Sequence, residues 1–284
     1  MSHAQQRTDN QLSEPESQDE EHPVYTPGEL AAIFLDFYKF LATLHYDAAD
    51  LKIAPEGGWP SLSPAACAAA RVNKSAQALE VLRHLPYFQR HHPTTAIHYK
   101  SILVDWSTVG AKGIKTFACI GDDETLETGD GDPVHERDLI LISRGHESGG
   151  RRLCLDTWHG RIFEYAVRDD WVGNWDAVEY FTIMSDNYLN LRIIPCEGRV
   201  SLEIAYRVEE RDPDEAEISL EEVLDQTDEG FGNAELDVQY VRQIYRQLGW
   251  PREFKRKEAV EFFEDSDEVM EKRRGWGWEK EDHW

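Results

Sequence analysis

Apolar residues first fall into a clear rhythm at Leu30, Ile33, Phe34, Phe37, Phe40, Leu41 and Leu44. That spacing lays a wide stripe along one side of a helix. Just before it stand Thr26, Pro27 and Glu29. They offer a cap, a first-turn proline and the second half of a capping box. Ser63-Pro64 opens a short alanine-rich helix through Ala70. A further helix is predicted over 75–84, with Leu79 and Leu82 inward and Leu85-Pro86 ending it.

The rhythm then shortens. Residues 97–106 and 114–120 read as strands. An acidic, glycine-rich loop separates them from three closely spaced strands between Asp138 and Tyr165. Leu139 to Ile142 is a short aliphatic run of the kind buried on both faces of a sheet. Gly149-Gly150 tolerates the backbone reversal that follows. Leu153 and Leu155 alternate with Arg152 and Asp156, Thr157-Trp158-His159-Gly160 makes a second turn, and Ile162, Phe163 and Tyr165 close a third strand. This is a β-meander. Trp175, Val178, Phe181, Tyr188 and Leu189 predict an amphipathic helix directly after it, and residues 201–206 predict one more strand.

The final third again reads as helical. Ser219 to Glu222 is a second capping signature, and Val238, Val241, Ile244, Tyr245 and Leu248 mark an inward stripe stopped by Gly249 and Pro251. A charged helix is predicted over 252–274. Trp276, Trp278 and Trp284 follow, either docked on the domain or held out for a partner.

Composition divides the chain into three parts. Residues 1–25 are polar and acidic and predict a disordered arm. Residues 26–208 form an α+β domain with a mixed or antiparallel sheet packed by helices. Residues 209–284 carry 24 acidic against 11 basic side chains, a net −13, and read as an acidic helical tail. The whole 284-residue chain is at −25 with 40% hydrophobic residues, which is globular composition. That charge repels phosphate and anionic lipid, so nucleic acid and membrane are excluded as partners and a protein with a basic surface is favoured. The four cysteines are far apart and without a CxxC pair, and residues 1–25 hold no apolar core of a leader. The expectation is an intracellular, cytoplasmic protein.

Candidate chemistry is thin. His84, His91, His92 and His98 lack the spacing of a zinc site, and Pro133 breaks the alternation that would make Asp130-Gly131-Asp132 a calcium loop. Asp156 and His159 share a turn and could support acid–base work in a hydrolase, yet no GxSxG places a nucleophile, and no GxGxxG or P-loop cradles a nucleotide. Asp156 reads as the cap of its turn and His159 as a solvent-exposed histidine. No cofactor, metal or catalytic residue is expected.

Gly149-Gly150, the Leu153-Cys154-Leu155-Asp156 strand, Gly160 and the aromatic Ile162-Phe163 strand resemble the SUKH superfamily. So do the preceding helix, Leu85-Pro86-Tyr87 and the 97–106 segment, and the likeness covers about residues 75–195. That family includes fungal regulators of cell-wall assembly and bacterial immunity proteins that neutralise secreted toxins. The long first helix and acidic tail look like those of filamentous-fungal members. The resemblance implies a regulatory, protein-binding α+β domain without catalysis. Its expected contact surface is the meander, with Gly149, Gly150, Asp156, Trp158 and Gly160 as binding residues and Trp158 and Asp156 at an exposed tip.

Overall fold

The computed structural model describes residues 22–89, 96–114, 126–128, 131–146, 148–168, 171–196, 199, 203–212, 214–226 and 234–270. The disordered-arm expectation for residues 1–21 lies outside them, as do His91, His92, Cys119, Asp130, most of the strand predicted over 114–120, and the tryptophans of the chain end. Among the described residues no helix is long and apolar enough to cross a membrane.

The fold is α+β. Helix α1 (Pro27–Leu44) begins at the predicted capping box, with the Thr26 hydroxyl accepting from Glu29 N and the Glu29 carboxylate accepting from Thr26 N. Its buried side holds Leu30, Phe34, Phe37, Tyr38, Leu41 and Leu44. Strand β1 (Leu51–Lys52) follows, then α2 (Pro64–Ala70) and α3 (Ala76–His84), each capped by the predicted serine. On α3, Ala78, Val81 and Leu82 are buried, whereas Leu79 is only partly so. Strand β2 (Tyr87–Phe88) pairs with β1 as a small separate ladder.

The single strand predicted over 97–106 is instead a hairpin and a helix start. Lys100 adopts φ +44° and reverses the chain between β3 (Ala96–His98) and β4 (Ser101–Leu103). Asp105 then caps α4 (Trp106–Gly113), accepting from Ser107 N at 3.0 Å, and Ile114 is the helical C-cap rather than the start of a strand. Trp106 is buried and its indole N–H donates to the Leu141 carbonyl at 2.8 Å. Two short strands, β5 (Leu126–Glu127) and β6 (Pro133–Val134), pair with each other.

The predicted meander is present as β7 (Leu139–Gly145), β8 (Arg151–Asp156) and β9 (Arg161–Ala166), continued by β10 (Trp171–Asp176). Together with the hairpin they make one antiparallel sheet in the order β10-β9-β8-β7-β4-β3. Register places Arg151, Leu153 and Leu155 on one face with Ala166, Glu164 and Ile162; Arg152, Cys154, Phe163 and Tyr165 point to the other.

Helix α5 (Ala177–Leu189) starts one residue after the sheet ends, because Asp176 caps it by accepting from Val178 N and Glu179 N. That start corrects the predicted face. Trp175 belongs to β10, Val178 and Leu189 point outward, and the buried stripe is Ala177, Tyr180, Phe181, Met184 and Tyr188. Phe181 meets Phe34 and Phe37 of α1 at 4.8 and 4.5 Å between ring centres. Of the strand predicted over 201–206, the described part, Glu203–Tyr206, is a short 3-10 turn.

Helices α6 (Leu220–Leu224), α7 (Ala234–Gln247) and α8 (Arg256–Met270) complete the chain. Val238, Val241, Tyr245, Trp250 and Phe263 join the same core as α1 and the sheet, while Ile244 and Leu248 are partly buried. The shift in composition at residue 209 is therefore no break in packing. The Trp250 indole donates to Tyr188 O at 3.1 Å, and the Tyr245 hydroxyl donates to Pro195 O. Cys67, Cys154 and Cys196 are buried.

Candidate functional site

Asp156 ends β8 and is fully buried. Its Oδ1 accepts from Trp158 N at 2.9 Å and His159 N at 3.3 Å, and His159 Nδ1 lies 2.5 Å from Oδ2. It caps the turn as the residue types predict. The exposed tip is corrected, however. Residues 24 and 25 run over the turn: Val24 N donates to Trp158 O at 2.9 Å, Gln77 Nε2 donates to Tyr25 O at 2.8 Å, and the Tyr25 hydroxyl donates to Asp176 at 2.8 Å. Burial, and then the Asp176 carboxylate, push the Tyr25 phenol above its ordinary value. Trp158 is thereby partly buried, Gly160 is buried, and His159 keeps 22% of its side chain exposed.

Gly160 has φ +67°, and a Cβ there would sit 2.2 Å from the Tyr25 ring. Its missing side chain is what lets residue 25 close down. Gly149 (φ +76°) and Gly150 sit at the other end of β8, and a Cβ on Gly150 would meet His146 O at 2.2 Å. A six-residue strand separates the two groups, roughly 20 Å at strand rise. The five residues expected to form one contact surface are thus split between two turns at opposite ends of β8. An Asp–His pair also needs a nucleophile on the far imidazole nitrogen. The neighbouring hydroxyl, Thr157 Oγ1, donates instead to the Asp138 carbonyl at 2.8 Å.

A second polar cluster has no marker in the sequence. Glu164, on β9, is buried, and its carboxylate lies 2.9 Å from Arg151 Nε and 3.6 Å from His98 Nε2. The Tyr180 hydroxyl donates to it at 3.2 Å. Burial first, and Glu164 second, hold the Tyr180 phenol well above the usual range. The arrangement compensates a buried carboxylate and ties β3, β8, β9 and α5 together, which is structural work. Glu164 reads in the sequence as one more polar position of an alternating strand, so only the fold reveals it.

A cleft of about 540 Å³ opens between the β1–β2 ladder and the start of α4. Tyr38, Tyr87 and Phe88 form its apolar wall, and Lys52 donates across it to Asp105 at 2.5 Å. Burial opposes the Asp105 charge, but hydrogen bonds from Lys52, Ser107 and Thr108 outweigh it and hold the carboxyl below its ordinary value. His84 bonds to its own helix through Glu80 O, and His98 belongs to the Glu164 cluster. Among the described residues no three His, Cys, Asp or Glu side chains converge as metal ligands would.

Apolar side chains reach solvent on two consecutive elements. On β10, Trp171 and Val172 are 43% and 42% exposed; on α5, Val178, Ile183 and Leu189 stand outward. The Trp171 ring lies 5.4 Å from Phe163 and 5.5 Å from Tyr165, and the Arg152 guanidinium covers Tyr165 at 4.7 Å. Comparison with family models, with curated proteins and with solved structures finds no match to this chain.

Proposed function

We propose that this chain is a non-enzymatic, protein-binding regulatory module of the SUKH kind, acting in cell-wall or signalling regulation. The observation that carries the reading is the division of labour among its side chains. Asp156, His159, Glu164, Arg151 and Tyr180 are engaged in holding turns and strands together. Large apolar side chains meanwhile face water on β10 and α5. Large apolar side chains left facing water support a contact surface. The net charge of −25 favours a partner with a basic face.

Affinity capture with the full chain and with a Val178→Glu/Leu189→Glu variant tests the reading. Both positions are exposed, so the variant keeps the fold, and a partner held by the wild type is expected to be lost from it. Recovery of the same partner by both proteins would refute the assignment of this surface. A hydrolytic activity abolished by His159→Ala would refute the non-enzymatic reading itself.

A further inference from the structure

β10 is the outermost strand of the six-stranded sheet, so among the described residues one of its two hydrogen-bonding sides has no strand against it. Such an edge is a template for another chain unless it is blocked. Lysine and proline are the usual blocks, and Trp171-Val172-Gly173-Asn174-Trp175-Asp176 contains neither. The one interruption is at Val172, where the register with β9 shifts; from Gly173 to Asp176 the two strands run in step. The opposite edge, β3, is only three residues long and irregular in register.

Charge distinguishes between possible occupants. A second copy of this chain would bring another −25, and the two would repel. Asp176 ends the strand, and Glu179 is exposed in the first turn of α5. The basic groups nearby are Arg161, which donates to the Asn174 side chain, Arg152, which is stacked on Tyr165, and the exposed Arg168.

We propose that the open side of β10 accepts an extended basic peptide as a seventh strand, its apolar residues lying over Trp171 and Val172 and its cations meeting the flanking carboxylates. This rests on the protein-binding reading above and gives it a mode and a partner class. Main-chain hydrogen bonds supply affinity in such strand addition, and alternate side chains supply selectivity.

The test uses the full chain and a fluorescent octapeptide of alternating lysine and valine, with a glutamate–valine octapeptide as control. The lysine peptide is expected to bind, to slow hydrogen exchange at residues 171–176, and to weaken with rising salt. Val172→Lys places a blocking cation on the edge and is expected to weaken binding about tenfold or more, whereas Leu220→Glu, at an exposed position of α6, leaves it unchanged. Val172 is the unpaired residue of the irregularity, so that variant keeps the sheet. Unchanged exchange at 171–176, equal binding by Val172→Lys, or equal binding of the glutamate peptide would each overturn the proposal. So would self-association of the protein that protects the same residues. Failure of the peptide while partner capture still depends on Val178 and Leu189 removes the edge and leaves the binding reading standing. Peptide binding at β10 without any such dependence does the reverse.

Discussion

Arg242 is the side chain whose loss the structure allows to be sized. It lies on α7 with 1% exposure and donates to four main-chain carbonyls: Nε to Leu191 at 3.1 Å, Nη1 to Val208 at 2.9 Å and Glu209 at 3.2 Å, and Nη2 to Ala205 at 2.7 Å. One of these carbonyls belongs to Leu191, which is itself buried at φ +52°. The carboxylate of Glu210 is 3.7 Å away and 46% exposed. Arg242→Met keeps an unbranched apolar stem but removes every donor. Each orphaned buried acceptor costs about 1–3 kcal/mol, against which the variant no longer buries a guanidinium. A net loss of about 3–5 kcal/mol follows, as for breaking other buried charged networks. Glu210→Gln removes only a solvent-screened partner and should cost under about 1 kcal/mol. With a urea slope of about 3 kcal/mol/M, Arg242→Met lowers the unfolding midpoint by about 1 M or more, and Glu210→Gln moves it little. Tryptophan fluorescence during urea titration reads both. Equal, small shifts in the two variants would refute the reasoning, since the carbonyls would then be satisfied by water and the guanidinium would not be their anchor.

Two further outcomes follow from burial. Gly160→Ala puts a Cβ 2.2 Å from the Tyr25 ring at φ +67°, costing about 1–2 kcal/mol for the backbone alone. The melting temperature should fall, and combining the change with Tyr25→Ala should cost less than the two losses added; strict additivity would mean the ring does not lie over the turn. Burial raises the phenol pKa of Tyr38, Tyr87, Tyr180, Tyr188 and Tyr245 above the ordinary 10.0. Because the folded values are the higher ones, this stability is intact below pH 10 and is lost as pH climbs above it. Phenolate absorbance of the native protein should therefore leave these five silent just above pH 10, while urea-unfolded protein ionises all 11 tyrosines there. Full ionisation with circular dichroism still native would count against the packing of the core.

Signals that act within a few residues were legible in the chain. The capping box at Thr26 and Glu29, the serine caps of α2 and α3, the glycine turns around β8 and the turn-capping role of Asp156 all appear where the residue types place them. Errors arose where two local readings compete. In 97–106 the β-branched and aromatic residues outweighed the turn at Lys100 and the cap at Asp105. Trp175, Val178 and Leu189 fit a helical stripe on paper, but the Asp176 cap starts α5 later and turns those positions away from the core. The acidity beginning at residue 209 describes the outer face of α7 and says little about Val238, Val241 and Tyr245 on its inner one.

By itself the sequence determined the α+β class, the first helix, the meander and the acidic surface, since each follows from spacing, capping and composition among near neighbours. Only the tertiary structure decided what is exposed. Tyr25 reaches Asp176 across 151 positions to cover the expected contact turn, and Arg242 reaches Leu191 across 51 to bind the last helices to the core. β10 is an edge because, among the described residues, no strand of the sheet lies beyond it in space. Burial is a sum over distant partners, and no window of the chain contains them.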